Sequence, residues 1–281
     1  MTIGIGVLCS TTDRSEIIPD AIVLISDTMG SSETDSTGEL HKMAFDPAHR
    51  IFAVVAGRVE IAAELFPLIR AQFATIPQGN RLHGSIWRAL TMAVANHRNE
   101  HFSCDVVMTQ FAIGGQILAQ EHERMMEAYR AYDTGYQMLL GTFDDDGRAL
   151  LYYIGRLDGD TALVHLMEFP GYFAVGTGGY NANMWFNFRR QRLGHSIRRS
   201  ALHAFEASRM ASSAPTVNND IEVAIALKDR AYYFSRAIEA PSDCPISLNE
   251  LVALAEQYGP KSTEALGLPT QSASQTSAGQ P

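Results

Sequence analysis

Short runs rich in Ile, Val and Phe dominate the first part of the chain: Ile3 to Cys9, Ala21 to Ser26, His41 to Phe45 and Ile51 to Ala56, punctuated by Pro, Asp, Gly and Ser. Runs of this length with that punctuation predict strands, here consecutive antiparallel hairpins. From Val59 to Ala74 the period changes. Ile61, Ala62, Leu65, Leu68, Ile69 and Phe73 fall at helical spacing, and Ser85 to His97 repeats it with Ile86, Leu90 and Val94. Pro67 lies inside the first of these helices, where its missing N–H predicts a kink. Gln116 to Tyr132 is a third helical stretch, with a polar surface of Gln120, Glu121, Glu123, Arg124 and Glu127.

Strand patterning then returns. Tyr136 to Phe143 and Ala149 to Ile154 flank Asp144-Asp145-Asp146-Gly147, whose Asp-Gly end signals a hairpin. Ala162 to Glu168 and Tyr172 to Val175 form a further pair, and after Gly176-Thr177-Gly178-Gly179 come helical stretches at Asn181 to Gln191 and Ser196 to Met210. Ile221 to Leu227 and Ala231 to Ser235 read as a hairpin around Lys228-Asp229, followed by a helix from Leu248 to Tyr258. Strands grouped in hairpins, with helices between the groups, fit two stacked antiparallel sheets covered by helices on both outer faces. They do not fit the strict alternation of a doubly wound parallel sheet. The fold class is therefore α+β, a four-layer αββα sandwich. With no internal repeat or linker, residues 2–264 are expected to form one domain. Residues 265–281, rich in Gln, Ser, Ala, Thr and Gly, bury almost nothing and are expected to be a disordered tail.

Composition narrows the function classes. The 281 residues carry 31 acidic and 22 basic side chains, a formal net charge of -9, which argues against a protein that displaces counterions from a nucleic-acid backbone. Cys9, Cys104 and Cys244 are far apart and odd in number, so neither a disulfide framework nor a CxxC metal knuckle is expected. No apolar run reaches the ~18 residues of a membrane span, and the start of the chain lacks a signal-peptide pattern. A cytoplasmic protein without nucleic acid or membrane partners is the expectation. There is no HExxH, no His-Cys cluster at metal-ligand spacing, no GxxxxGK[ST] loop and no GxSxG elbow, so neither a metal nor another cofactor is expected.

The remaining chemistry lies in Met1-Thr2-Ile3-Gly4-Ile5-Gly6-Val7. A small residue after Met is the usual setting for removal of the initiator, which would leave Thr2 with a hydroxyl beside a free α-amine. Such an amine has a pKa of about 7.7–8.0, so near neutral pH it can serve as base for its own residue's hydroxyl. The run Thr2-Ile3-Gly4-Ile5-Gly6-Val7 resembles the opening strand of the proteasome β-subunit family, most closely its bacterial branch, the HslV-type peptidase and the betaproteobacterial proteasome homologue. Ile25-Ser26-Asp27 falls where that family has a buried Asp, and Lys42, in Leu40-His41-Lys42-Met43, where its catalytic Lys follows. Ala56-Gly57 is similar to the oxyanion glycine, and Val175-Gly176-Thr177-Gly178-Gly179 resembles the later GSGG turn, with Thr177 in place of Ser.

The resemblance covers Thr2 to about Phe234. It implies an N-terminal-nucleophile hydrolase fold, with Thr2, Asp27, Lys42, Gly57 and Thr177 as catalytic-site residues and Ser31 where the family binds substrate backbone. The implied activity is a threonine endopeptidase cutting peptides or unfolded proteins, assembled as a homo-oligomer of stacked rings. An ATP-dependent unfoldase is a partner that the resemblance leaves open and that nothing in the chain itself indicates. The residue chemistry is consistent with these roles: a lysine among strand apolar residues that points inward needs a carboxylate, and Asp27 can supply it. Departures are a longer first hairpin from Cys9 to Asp20, an unusually aromatic helix from Tyr180 to Arg192, and extra length at Phe111 to Tyr136 and in the tail. The family's late supporting Asp and Ser have no clean match, with Ser213 or Asp220 as substitutes. Two alternatives stay open: a catalytically silent ring subunit, or an amidase of the same class acting on small molecules.

Overall fold

The computed structural model describes residues 3–11, 18–28, 42–112, 123–124, 127–128, 130–132, 135–157, 162–212 and 220–258, and of residues 103–112 the backbone alone. In chain order the strands are β1 (Ile3–Cys9), β2 (Ala21–Asp27), β3 (Met43–Asp46), β4 (Ile51–Gly57), β5 (Tyr136–Phe143), β6 (Ala149–Ile154), β7 (Val164–Leu166), β8 (Tyr172–Gly176), β9 (Ile221–Leu227) and β10 (Ala231–Ser235). The helices are α1 (Val59–Ala74), α2 (His83–Ala112), α3 (Gly179–Arg189), α4 (Ile197–Ala211) and α5 (Leu248–Tyr258). They build two five-stranded antiparallel sheets, ordered β10-β9-β2-β1-β8 and β3-β4-β5-β6-β7.

Three apolar layers follow from the two-residue period of the strands. On the outer face of the first sheet, Ile3, Ile5, Val7, Val23 and Ile25 pack with Trp185 and Phe186 of α3, Phe205 of α4 and Leu251 of α5. On the outer face of the second, Ile51, Val55, Met138 and Tyr152 pack with Leu65 and Ile69 of α1 and Ile86 and Leu90 of α2. Between the sheets, Ile22, Leu24, Val54, Leu139, Leu151 and Val175 interdigitate. This is the four-layer αββα sandwich. Both faces of the central strands are buried, which is why β1 and β2 read as continuous apolar runs instead of alternating ones. Gly4 and Gly6 point into the middle layer. A Cβ on Gly6 would lie 2.8 Å from Leu151 Cδ1 and one on Gly4 3.0 Å from Val175 Cγ2, so the bare backbone of β1 is what lets the sheets approach.

Several boundaries differ from the sequence pattern. The third strand begins at Met43, not His41, which lies outside the described residues. Helix α2 runs 30 residues, well beyond His97. Its polar run His97-Arg98-Asn99-Glu100-His101 hides the period, yet His97 is buried and its ring stacks on Tyr132. Helix α1 keeps its expected bounds, Val59 to Ala74, with Pro67 inside it. The 162–168 strand shrinks to Val164–Leu166. Most of the predicted 116–132 helix, and the tail, lie outside the described residues. Among the described residues no helix is long and apolar enough to cross a membrane.

Candidate functional site

Antiparallel register gathers the predicted positions at one end of the sandwich. In the first sheet, the start of β1 meets the end of β2 (Gly4 opposite Ser26), the end of β8 (Ile3 opposite Gly176) and, through β2, the start of β9 (Asp27 opposite Ile221). In the second, the end of β4 meets the start of β5, with Gly57 opposite Tyr136. The Val55 amide donates to the Lys42 carbonyl at 2.9 Å, so Lys42 continues the β3–β4 pairing by one residue at that same end.

Asp27 and Lys42 are joined here. Lys42 Nζ donates to Asp27 Oδ1 at 2.8 Å, and both side chains are wholly buried. The same Asp27 oxygen accepts the Ile3 amide at 3.0 Å. The Ser26 hydroxyl lies 3.1 Å from the Asp27 carbonyl oxygen. Burial pushes the Asp27 carboxyl up from its ordinary value, outweighing Lys42 and the Ile3 amide, which favour the anion. Burial likewise pushes the Lys42 ammonium down against the attraction of Asp27 and of a second carboxylate, Glu222. The two shifts run toward each other, so the pair sits closer to exchanging a proton than a surface Lys–Asp pair.

Thr2, the residue bonded to the Ile3 nitrogen that Asp27 fixes, lies outside the described residues, as do Ser31 and Ser213. Gly57 ends β4 immediately before α1, with φ 87°. Only glycine adopts this left-handed conformation readily, and a Cβ there would stand 2.5 Å from the Gly135 carbonyl oxygen. No side chain caps the N terminus of α1 that follows. Thr177 is exposed and lies one residue beyond Gly176, the residue opposite Ile3. Asp220 also reaches this end, its carbonyl accepting the Thr28 amide at 3.0 Å, but its carboxylate turns outward to Arg236 at 3.0 Å. It does not join Asp27 and Lys42.

Three neighbours escaped sequence reasoning. Gln137 of β5 accepts the Gly176 amide at 2.7 Å, tying the second sheet to the turn that carries Thr177. Glu222 is buried at the start of β9 opposite Ser26 and accepts the Tyr233 hydroxyl at 2.7 Å. A polar residue opening a strand that is otherwise apolar, as in Ile221-Glu222-Val223-Ala224-Ile225, was the readable signal. An apolar pocket of about 240 Å³ opens beside Lys42, lined by Val55, Val59, Ala63, Phe66 and Met138 among others. It connects the lysine to the β4–α1 corner that Gly57 forms. Among the described residues no cluster of His, Cys, Asp and Glu could hold a metal ion.

No family model and no curated protein matches this sequence. Among solved structures, the chain is similar to a mutant of Anbu from Hyphomicrobium sp. strain MC1, with 12% identity, a TM-score of 0.58, and coverage of 96% of this chain and 99% of that one. That likeness shows the fold: the proteasome-like, N-terminal-nucleophile hydrolase sandwich.

Proposed function

We propose that this protein is an N-terminal-nucleophile hydrolase, a threonine-type endopeptidase acting through an acyl-enzyme on Thr2. One observation carries the reading: the buried Lys42–Asp27 pair is bonded to the first amide of β1, one peptide bond from Thr2. A buried ion pair adds little stability compared with apolar residues of the same volume, so its placement at a strand start beside a potential nucleophile is better explained by chemistry. The reading requires a free amine on Thr2, and therefore removal of Met1.

In this reading, Thr2 Oγ attacks the scissile carbonyl carbon while its proton passes to the α-amine, whose protonation the Lys42 charge disfavours. The oxyanion that forms is stabilised by backbone N–H groups at the β4–α1 corner, helped by the positive end of the α1 dipole. The proton goes to the departing amine, an ester remains on Thr2, and water releases the acid. The pocket lined by Val55, Val59, Ala63, Phe66 and Met138 would take an apolar side chain of the substrate. Stacked rings with inward-facing sites are part of the same proposal, with peptides or unfolded chains as substrates.

The test is intact-mass analysis before and after a peptide epoxyketone, a warhead that needs a hydroxyl and a free amine on one residue. The expected result is a chain beginning at Thr2 and one covalent adduct that Thr2→Ala abolishes. Fully active protein that retains Met1 would overturn the mechanism, and unlabelled, inactive protein beginning at Thr2 would leave a silent subunit of this fold.

A further inference from the structure

Near Lys42 and Asp27 a second carboxylate is buried. Glu222 lies on the inner face of β9, the face that continues through Ala224 and Ala226, with only 5% of its surface exposed. An ionised carboxylate placed there is costly unless a cation and hydrogen bonds offset it. Among the described buried residues the one Lys or Arg is Lys42, and Asp27 on β2 and Glu222 on β9 are buried carboxylates on neighbouring strands. These two are also the acidic groups that act electrostatically on Lys42. Register explains the convergence: Glu222 stands opposite Ser26, the residue before Asp27. The Tyr233 hydroxyl of β10 holds Glu222 at 2.7 Å, and the Tyr233 ring packs edge-on against Phe45 of β3, the strand that Lys42 leads into, with centroids 5.4 Å apart. One tyrosine therefore ties the second carboxylate to the element that carries the lysine.

We infer that Glu222, held by Tyr233, is a positioning residue for Lys42, the second carboxylate of a Glu222–Lys42–Asp27 unit. This rests on the hydrolase reading for its function, though not for its electrostatics. Asp27 bonds the lysine and the β1 amide together, while Glu222 supplies the further negative charge that keeps the ammonium charged in a dry site. Without Glu222, Lys42 would lose its proton more readily, and the amine it helps to tune would be set differently.

The chain has three lysines, Lys42, Lys228 and Lys261, so [13Cε]-lysine labelling gives few signals, and Lys42→Arg identifies the one that matters. The experiment is NMR titration of Lys42 in the full chain as wild type, Glu222→Gln and Tyr233→Phe, with pH profiles of kcat/KM on a fluorogenic peptide. Glu222→Gln keeps the acceptor for Tyr233 and removes the charge. Loss of an opposite charge that acts on the ammonium, at an effective dielectric near 20, predicts a downward shift of the Lys42 titration by about one pH unit. The kcat/KM profile should move with it. Tyr233→Phe, which removes the hydroxyl that holds Glu222 in place while leaving a phenyl ring against Phe45, should shift it in the same direction by less, and serves if Glu222→Gln does not fold. An unchanged Lys42 titration in a folded variant overturns the inference whatever the activity. A shifted titration in a protein without peptidase activity at any pH upholds the unit and sinks the hydrolase reading instead.

Discussion

Lys42 is one of three lysines in a chain with nineteen arginines, and it is fully buried. A guanidinium needs room for a planar fork, so the compact ammonium suits this tight, buried site. Lys42→Ala is expected to lower kcat/KM by ~10²-fold or more, the scale of a lost acid–base group. It should also destabilise the fold by about 3–5 kcal/mol, because Asp27 is left as a buried unpaired carboxylate. Lys42→Arg should not restore activity. Peptide kinetics with urea unfolding read both effects. Stability against pH gives a second check. Burial lowers the Lys42 pKa from 10.5, so the unfolded chain binds the extra proton; the lysine's contribution is fully present above 10.5 and is lost as pH falls through the folded value. In an Asp27→Asn, Glu222→Gln background, where no carboxylate is left facing the lysine, Lys42→Met should therefore raise Tm at pH 7, and the gain should shrink toward pH 10.5. A constant gain across that range would mean that Lys42 titrates like a surface lysine.

At the scale of elements, the corner from β4 to α1 does two jobs, turning the chain at Gly57 and walling the apolar pocket. Gly57→Ala forces a Cβ onto a positive φ and to 2.5 Å from the Gly135 oxygen. The expected loss is about 1–3 kcal/mol in denaturant unfolding, the scale of local backbone strain, with a fall in activity that low temperature does not rescue. Ala63→Phe, on the first turns of α1, should fill the pocket. It should reduce kcat/KM for substrates with a large apolar residue and spare those with alanine; equal losses on both would remove the pocket from substrate binding. These elements were largely legible in the sequence. β1, β5, β6, β9, β10, α1 and α5 match their apolar runs and periods to the residue, because burial on one or both faces dictates those patterns. Less was legible where polar side chains carry tertiary contacts: α2 runs on past His97, which continues the buried face of Ile86, Leu90 and Val94 with a polar ring stacked on Tyr132. At the site, Asp27 and Lys42 were expected from the family resemblance, with charge reasoning consistent with their pairing. Glu222 and Gln137 were not, because their meaning depends on which strands become neighbours, Ser26 beside Glu222 and β5 meeting the end of β8 across the sheets.

For the whole molecule, the question is whether the sandwich works alone or as part of a chamber. Its outer layer is not uniformly polar. On α3, Tyr180, Met184 and Phe188 recur every four residues on one face and are 75%, 39% and 61% exposed, while Trp185 and Phe186 of the same helix are buried in the layer below. A helix that is apolar on its outward face as well as its inward one has a second surface to cover. Inward-facing sites in stacked rings require such surfaces between copies, and closed symmetry requires each to meet a complementary patch of another subunit. The expected sedimentation-velocity result at micromolar concentration is a species several times the 30.8 kDa of one chain. The variant Tyr180→Glu with Phe188→Glu should shift the distribution to smaller species. Both positions are exposed on the outer helical layer, so the Lys42 titration should be unaffected. If the ring is what selects substrates, the variant should lose discrimination between peptides and folded proteins while small fluorogenic peptides continue to turn over. A wild-type mass of one subunit across that concentration range would remove the chamber and leave an open hydrolase, for which small-molecule amides become the substrates to test first.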